Sequence, residues 1–173
     1  MFLLNHQLIR NYVESNSSIL DIWEFTLENL QHTFYYFRLG SEGQINDNPF
    51  KLSEGSGTNL LTIEPNDFAL IKSHETFNLS DKILAIFGQP SDLVKKGGQL
   101  LHSPFVDPRF KGKLELGIKN IGNKPIILEY KKQIIGKISF FDISDTYPIV
   151  VNPNSKIAKK YDERKPDKGN VED

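Results

Sequence analysis

The sequence contains no cysteine. This absence excludes disulfide bonds, iron–sulfur clusters, thiolate zinc sites and a cysteine nucleophile. The sequence also lacks an apolar run near the roughly 20 residues that cross a bilayer. Its start, Met1 to His6, lacks the basic segment and long apolar core of a secretory signal. We therefore expect a soluble, cytoplasmic protein without a membrane partner.

The charge is nearly balanced, with 21 Lys and Arg against 22 Asp and Glu. Such a balance provides no general attraction to nucleic acid, and with a single tryptophan there is no basic and aromatic stripe for a single strand. The histidines at 6, 32, 74 and 102 lack the short spacing of metal ligands. Dinucleotide, P-loop, zincin and nucleophile-elbow motifs are absent. We expect no nucleic-acid partner, no zinc and no other metal held by side chains.

The 173 residues are enough for one domain. Apolar residues at helical spacing predict a short helix over 5–14, with Asn5 as its N-cap. Residues 41–59, rich in glycine and polar side chains, suggest a flexible excursion. Strands are predicted at 33–39, 60–63, 68–77, 82–87, 113–119, 126–130 and 133–141. Short strands at this spacing favour an all-β sandwich or barrel.

The character of the chain changes near residue 152. The last 22 residues hold six basic and five acidic side chains and little that could be buried. We divide the chain into a β domain over 1–151 and a charged tail over 152–173. The tail is either a solvated disordered segment or a flap that orders over a ligand or a neighbouring subunit.

Several stretches together resemble the dCTP deaminase family of the dUTPase superfamily. ENLQHTFYYFRLG at 28–40 resembles the family's ENLQPxSYDLRLG, and LHSPFVDPRFKG at 101–112 resembles GxIDPxxxG. PIIL at 125–128 and IGKISFF at 135–141 resemble PIxL and IAQLSFF, and the turn at 60–70 matches LxPGEFxL. The segments follow the family's order and spacing.

The resemblance implies a mainly β fold, the dUTPase-like β-clip or distorted β-barrel, with a short N-terminal helix and a homotrimeric assembly. It implies an active site between subunits that binds a deoxypyrimidine triphosphate, dCTP or dUTP, with Mg²⁺ carried by the phosphates and no zinc. In the family, a glutamate on the strand after the Asp-Pro turn moves protons while water attacks C4 of cytosine. A carboxylate screened from water can serve as both base and acid, because burial raises its pKa.

The resemblance also assigns candidate ligand contacts. Asp107 matches the aspartate of the Asp-Pro turn, which contacts the deoxyribose or positions water, although Asp before Pro favours turns in any protein. Phe110 matches an aromatic residue under the sugar, and a core phenylalanine would look the same. Lys160 and Tyr161 match the tail motif KYxxQ, or belong to a solvated charge run.

The position of the family's catalytic glutamate is occupied by Gly117, ten residues after Asp107. Glycine cannot transfer a proton. Glu115 lies on the same face of the predicted strand, displaced by about 6.5–7 Å, and is a candidate replacement. A bulge that shifts the strand's register would be the alternative to a true loss.

The phosphate-binding motif GRSSLAR is altered as well. Gln89 stands for its arginine and Pro90 for its first serine, whereas Ser91 matches the second serine. Lys95 could supply positive charge without the bidentate fork of arginine. His102 is a further candidate, as a nucleotide contact or as the group that replaces the glutamate.

These observations predict a deaminase-like protein that binds a deoxypyrimidine triphosphate and in which deamination is weak or lost. Two alternatives stay open. The first is an active dCTP deaminase or dUTPase that uses Asp107 or Glu115. The second is a non-catalytic trimeric regulator or partner-binding scaffold.

Overall fold

The chain begins with a strand and the predicted helix, and the rest is mainly strands and turns. In this computed structural model residues 1–55 and 59–145 are described. The helical elements are α1 (His6–Glu14), a 3-10 turn (Leu27–Asn29) and α2 (Ser91–Lys95). The strands are β1 (Phe2–Leu3), β2 (Leu20–Trp23), β3 (Tyr35–Ile45), β4 (Asn48–Lys51), β5 (Leu60–Ile63), β6 (Phe68–Ser73), β7 (Thr76–Leu79), β8 (Ile83–Gly88), β9 (Gly98–Leu101), β10 (Phe105–Val106), β11 (Lys111–Gly112), β12 (Glu115–Asn120), β13 (Ile126–Glu129) and β14 (Ile134–Asp142).

The strands form an antiparallel main sheet and two smaller sheets. The main sheet runs in the order β10-β8-β14-β3-β6-β12-β9, with β1 beside β14 and β4 beside β3. A smaller sheet has the order β11-β7-β2, and β5 pairs with β13. The mainly β prediction and the short N-terminal helix are confirmed.

Helix α1 begins where its cap predicts. The Asn5 side-chain oxygen accepts a hydrogen bond from the Leu8 backbone N–H at 3.0 Å, which satisfies one of the free donors of the first turn. Ile9 is the fully buried residue of this helix.

The helices within residues 1–55 and 59–145 are too short and too polar to span a bilayer.

The core lies on the inner face of the main sheet. The rings of Tyr35, Phe37 and Phe140 are fully buried on this face, and Phe77 of β7, in a smaller sheet, is fully buried against them. Phe37 contacts Phe77 edge to face, with ring centroids 6.1 Å apart, a favoured arrangement for aromatic pairs. This packing fixes the sheet whose outer face carries the candidate site.

The prediction of a flexible excursion over 41–59 was wrong for residues 41–51, which form a β-hairpin. Strand β3 continues to Ile45 and turns at Asn46 and Asp47 into β4. Both turn residues have positive φ, 46° and 69°, which is the requirement of a type I′ hairpin. The strand predicted to end at residue 39 continues through Gly40, where the pairing of β3 with β6 shifts its register.

The predicted strand 68–77 is in fact two strands. It breaks at His74 and Glu75, where the chain leaves β6 of the main sheet for β7 of a smaller one. The Glu75 side chain turns inward at this break and is fully buried. The prediction also missed β2 and β9 and the short helix α2.

Candidate functional site

A buried ion pair lies behind the candidate site. The fully buried Glu75 carboxylate accepts hydrogen bonds from Arg38, at 2.7 Å from Nε and 2.8 Å from the backbone N–H. The Arg38 Nη2 atom also donates to the Glu24 carbonyl oxygen at 2.7 Å. The pair therefore joins the end of β2, strand β3 and the turn between β6 and β7.

The Tyr35 hydroxyl completes the environment of this pair. It donates to the Glu75 carboxylate at 3.3 Å and accepts the Thr26 N–H at 3.1 Å. Burial raises the pKa of the Tyr35 hydroxyl above its ordinary value, and the neighbouring Glu75 carboxylate raises it further. Tyr35 consequently remains protonated and acts as a donor to Glu75.

His74 lies beside the ion pair and is 8% exposed. Its Nε2 atom is 3.5 Å from the Glu24 carboxylate, and its ring meets the Tyr130 ring edge-on at 5.9 Å. Burial lowers the pKa of the His74 imidazole, an effect that Glu75 and Glu24 oppose and Arg38 reinforces. The imidazole is a structural group of this junction.

Ser73 connects the turn that carries Glu75 to the start of β12 by hydrogen bonds. Its hydroxyl donates to the Glu75 carbonyl oxygen at 2.7 Å and accepts the Leu114 N–H at 2.9 Å. The Ser73 N–H also donates to the Leu114 carbonyl oxygen at 2.8 Å. The start of β12, with Glu115 and Gly117, is thereby fixed against β6.

Strand β12 alternates between the core and the outer face. Leu116 and Ile118 are buried in the core, whereas Glu115 points outward, opposite Lys72 of β6. A cavity of about 360 Å³ opens on this outer face between β4, β3, β6 and β12. Glu115 lines it, with charges of both signs from Glu42, Lys51 and Lys72.

Gly117 follows Glu115 on the outer face and is covered by an aromatic ring. A Cβ atom at residue 117 would lie 2.4 Å from Cε2 of Phe68 and 3.2 Å from the Leu101 carbonyl oxygen. Contacts this short require Phe68 to move. The space above Gly117 is thus occupied by the Phe68 ring.

Asp107 lies in the turn between β10 and β11. Its carbonyl oxygen accepts the Phe110 N–H at 3.2 Å, and Arg109 has a φ of +66° within the turn. The Asp107 residue is exposed, whereas Phe110 is partly buried and packs against the core. The Phe110 carbonyl oxygen accepts the Leu79 N–H at 2.9 Å, which attaches the turn to β7.

Gln89 connects the end of β8 to β9. Its Nε2 donates to the Gly98 carbonyl oxygen, and its Oε1 accepts the Leu100 N–H at 3.0 Å. The nitrogen and the oxygen of the Gln89 amide therefore both form hydrogen bonds with the backbone of β9. The contact holds the loop that contains α2 against the main sheet.

Ser91 and Lys95 are exposed on α2. The Lys95 ammonium lies 4.0 Å from the Asp92 carboxylate, and a surface pair of this kind contributes little stability. His102 stacks on Phe87 with ring centroids 4.3 Å apart, and its Nδ1 lies 2.9 Å from the Ser103 carbonyl oxygen. Lys160 and Tyr161 lie outside the described residues.

The candidates therefore occupy different parts of the fold. Of those within the described ranges, Glu115 alone lines the cavity. Asp107 and Phe110 share the turn after β10, and Gln89, Ser91 and Lys95 share the segment after β8. Sequence reasoning missed the Arg38–Glu75 pair, because half of the residues in the stretch 68–79 are polar and its single glutamate does not stand out there.

Comparison with known proteins identifies the family. A family model described as dCTP deaminase-like matches residues 3–143. The chain belongs to this family, as the resemblance predicted. It is 30% identical over 112 residues to the dCTP deaminase of Thermococcus kodakarensis, covering 64% of this chain and 69% of that protein. It is 33% identical over 96 residues to a dUMP-forming dCTP deaminase of Beutenbergia cavernae, covering 54% of this chain and 49% of that protein.

A solved structure shows the same fold. The 2′-deoxycytidine 5′-triphosphate deaminase from Agrobacterium tumefaciens superposes with a TM-score of 0.66 at 15% sequence identity. The match covers 80% of this chain, which spans about half of that longer chain, 47%. The predicted fold of the dCTP deaminase/dUTPase superfamily is confirmed, and membership of this family places the chain in nucleotide metabolism.

Proposed function

We propose that this chain is a cytoplasmic, homotrimeric deoxypyrimidine triphosphate-binding protein with weak or no dCTP deaminase activity. The observation that carries the proposal is Gly117, which lacks a side chain and is covered by the Phe68 ring. The family resemblance gives this position to the proton-carrying glutamate. General acid and base catalysis contributes about 10²–10⁴-fold, so its loss leaves a slow reaction at best.

The nucleotide contacts in this proposal come from the loops after β8, β9 and β10 and from the tail. Asp107 and Phe110 would face the deoxyribose from the turn after β10. Ser91 and Lys95, both exposed, would face the phosphates from the segment after β8. Gln89 would hold this segment against β9 and add a contact to the nucleotide. His102, which follows β9, would add a further contact. Lys160 and Tyr161 would close over the nucleotide from the tail.

Magnesium would enter with the triphosphate. Within residues 1–55 and 59–145, no three His, Asp or Glu side chains converge into a metal site. The ligands of the ion would be mostly phosphate oxygens and water, as Mg²⁺ prefers. When bound, the ion would neutralise phosphate charge.

Exposed apolar side chains support the homotrimer. Phe105, Ile127 and Leu60 are between 52% and 56% exposed. Apolar surface of this kind is typical of protein–protein contacts. Subunit contact would also place the nucleotide between chains, as the resemblance implies.

Thermal unfolding with and without nucleotide tests the binding proposal. A ligand that binds only the folded chain stabilises it by about 2.7 kcal/mol at one hundred times its Kd. We expect dCTP and dUTP with Mg²⁺ to raise the Tm, and inorganic phosphate with Mg²⁺ to raise it far less. An unchanged Tm at millimolar nucleotide would favour the non-catalytic scaffold.

One observation favours an active enzyme as the second candidate. Glu115 is an exposed carboxylate that lines the cavity next to Gly117. If it replaces the missing glutamate, Glu115→Gln should abolish any turnover of dCTP. Turnover unchanged in Glu115→Gln would eliminate this version, and Asp107→Asn tests the corresponding role of Asp107.

A further inference from the structure

Three apolar side chains surround Gly117 on the outer face of the main sheet. Leu70 of β6 and Leu101 of β9 lie directly opposite Gly117 on either side. Residues directly opposite each other in an antiparallel pair project to the same face. Phe68 lies diagonally across, with its ring over the glycine. We call Phe68, Leu70 and Leu101 around Gly117 the apolar patch.

The apolar patch is accessible to a planar ligand. Leu101 is 46% exposed, and Phe68 and Leu70 are both partly exposed. Because Gly117 has no side chain, the Phe68 ring covers the sheet at this point. A flat ring could therefore rest on hydrocarbon atoms across its whole face.

Among the described residues paired along this patch, the charged ones lie at its two ends, and Gln44 of β3 lies beside it, opposite Leu70. Lys72 and Glu115 face each other at one end, where the cavity opens. Lys119 lies at the other end, and its ammonium donates to the Asn66 carbonyl oxygen. Successive residues on one face of a strand are about 6.5–7 Å apart, so these charges lie one side-chain position away from Gly117.

Cytosine differs from uracil and thymine in its polar edge rather than in its face. Cytosine carries an amino donor at C4 and an acceptor at N3, whereas uracil and thymine carry a carbonyl acceptor and an N–H donor. A site discriminates such groups strongly only when it offers hydrogen-bonding partners to them. Stacking on an aromatic ring tolerates every base, because each has a π face.

We propose that the apolar patch holds the pyrimidine base by stacking and does not distinguish cytosine from uracil or thymine. This inference rests on the proposed function, which brings a deoxypyrimidine triphosphate to this face. The Phe68 ring takes the space in which a polar side chain at residue 117 would contact the base. The chain accordingly binds dCTP, dUTP and dTTP with similar affinity.

Calorimetric titration of the full chain with dCTP, dUTP and dTTP tests this proposal, with Mg²⁺ present and the salt concentration fixed. We expect three dissociation constants within about threefold of one another. Phe68→Leu should weaken binding of all three nucleotides by a common factor of at least about fivefold, since a stacking ring is lost. Phe68→Tyr keeps the ring and should preserve binding. Phe34→Leu makes the same change on a partly buried ring that packs on Tyr36 instead, and is the control.

The outcomes separate the inference from the function on which it rests. A preference clearly above about threefold for one pyrimidine overturns the inference and leaves the nucleotide-binding function in place. Unchanged affinity in Phe68→Leu, with the variant shown to be folded by circular dichroism, also overturns the inference alone. Absence of binding by all three nucleotides overturns the proposed function and the inference together.

Discussion

At the scale of single residues, the Glu75 carboxylate is a charged group that is costly to bury. It is fully buried and its charge is balanced by Arg38, which is 16% exposed, and by the Tyr35 hydroxyl. A buried pair of this kind adds little net stability, but the removal of one partner leaves an uncompensated charge. The junction of β2, β3 and β6 therefore depends on both partners.

Arg38→Met should strongly destabilise the chain. The Glu75 carboxylate would lose its cation, and we expect the free energy of unfolding to fall by about 3–5 kcal/mol. Chemical denaturation measures this change. The control is Arg10→Met, which removes the exposed pair with Glu14 and should cost no more than about 0.5 kcal/mol. Equal effects of the two substitutions would contradict the structural role of the buried pair.

The buried His74 predicts a loss of stability in acid. Burial lowers the pKa of His74 in the folded chain below that in the unfolded chain. The unfolded chain therefore takes up the proton first, and this contribution to stability is present above about pH 6.5 and is lost as the pH falls from there toward the lower folded pKa. Unfolding free energies at pH 7.5 and 5.5 test this.

His74→Gln should reduce the slope of stability against pH between these two values. The change in slope is at most about 1.4 kcal/mol per pH unit, which is the limit for one proton. The same substitution at the exposed His32 is the control. A His74→Gln variant with the slope of the unmodified chain would show that other groups set the acid response.

Gly117 gives a prediction about packing. Gly117→Ala should destabilise by about 1–3 kcal/mol, because the new methyl group would overlap the Phe68 ring. Gly88→Ala is a matched control on β8, since nothing lies within 4 Å of the methyl group that it adds. Combining Gly117→Ala with Phe68→Leu should recover part of the loss. Strictly additive effects would argue against contact between the two residues.

At the scale of elements, local signals were readable from the sequence and long-range ones were not. Helix α1 and its Asn5 cap depend on residues within one turn of each other, and β5 was predicted with its observed bounds. The β3–β4 hairpin was missed because its turn is Asn46-Asp47 rather than the usual Asn-Gly. The break at His74 was missed because it depends on Arg38, distant in sequence.

The same contrast holds for the candidate site. The family motifs were enough to assign Gly117 to the position of the catalytic glutamate, because that position lies a fixed ten residues after Asp107. The Phe68 ring over this glycine comes from β6, about 50 residues earlier, and only the pairing of β6 with β12 brings them together. A single sequence contains no signal for the rotamer of that ring.

The β3–β4 turn predicts opposite effects for two substitutions at one position. Asp47 has a φ of +69°, so Asp47→Gly should raise stability by a few tenths of a kcal/mol, up to about 1. Asp47→Val places a β-branched residue at positive φ and should lower stability. Thermal unfolding compares the two variants. A stabilising valine would contradict the assigned turn.

At the scale of the whole molecule, the proposed trimer gives a direct prediction. The mass in solution, measured by light scattering, should be three times the 19.8 kDa of one chain. Exposed apolar groups such as Phe105 and Ile127 would then be covered by neighbouring subunits. A monomeric mass at micromolar concentration would contradict both the assembly and a nucleotide site between subunits.

The central claim is that the fold retains a deoxypyrimidine site and has lost its proton carrier. The most direct test is to incubate the purified chain with dCTP and Mg²⁺ and to separate the products by chromatography. We predict that dCTP is recovered unchanged, or converted only slowly, under conditions in which it raises the Tm. Rapid formation of dUTP or dUMP would contradict the claim and would show that another residue moves the proton.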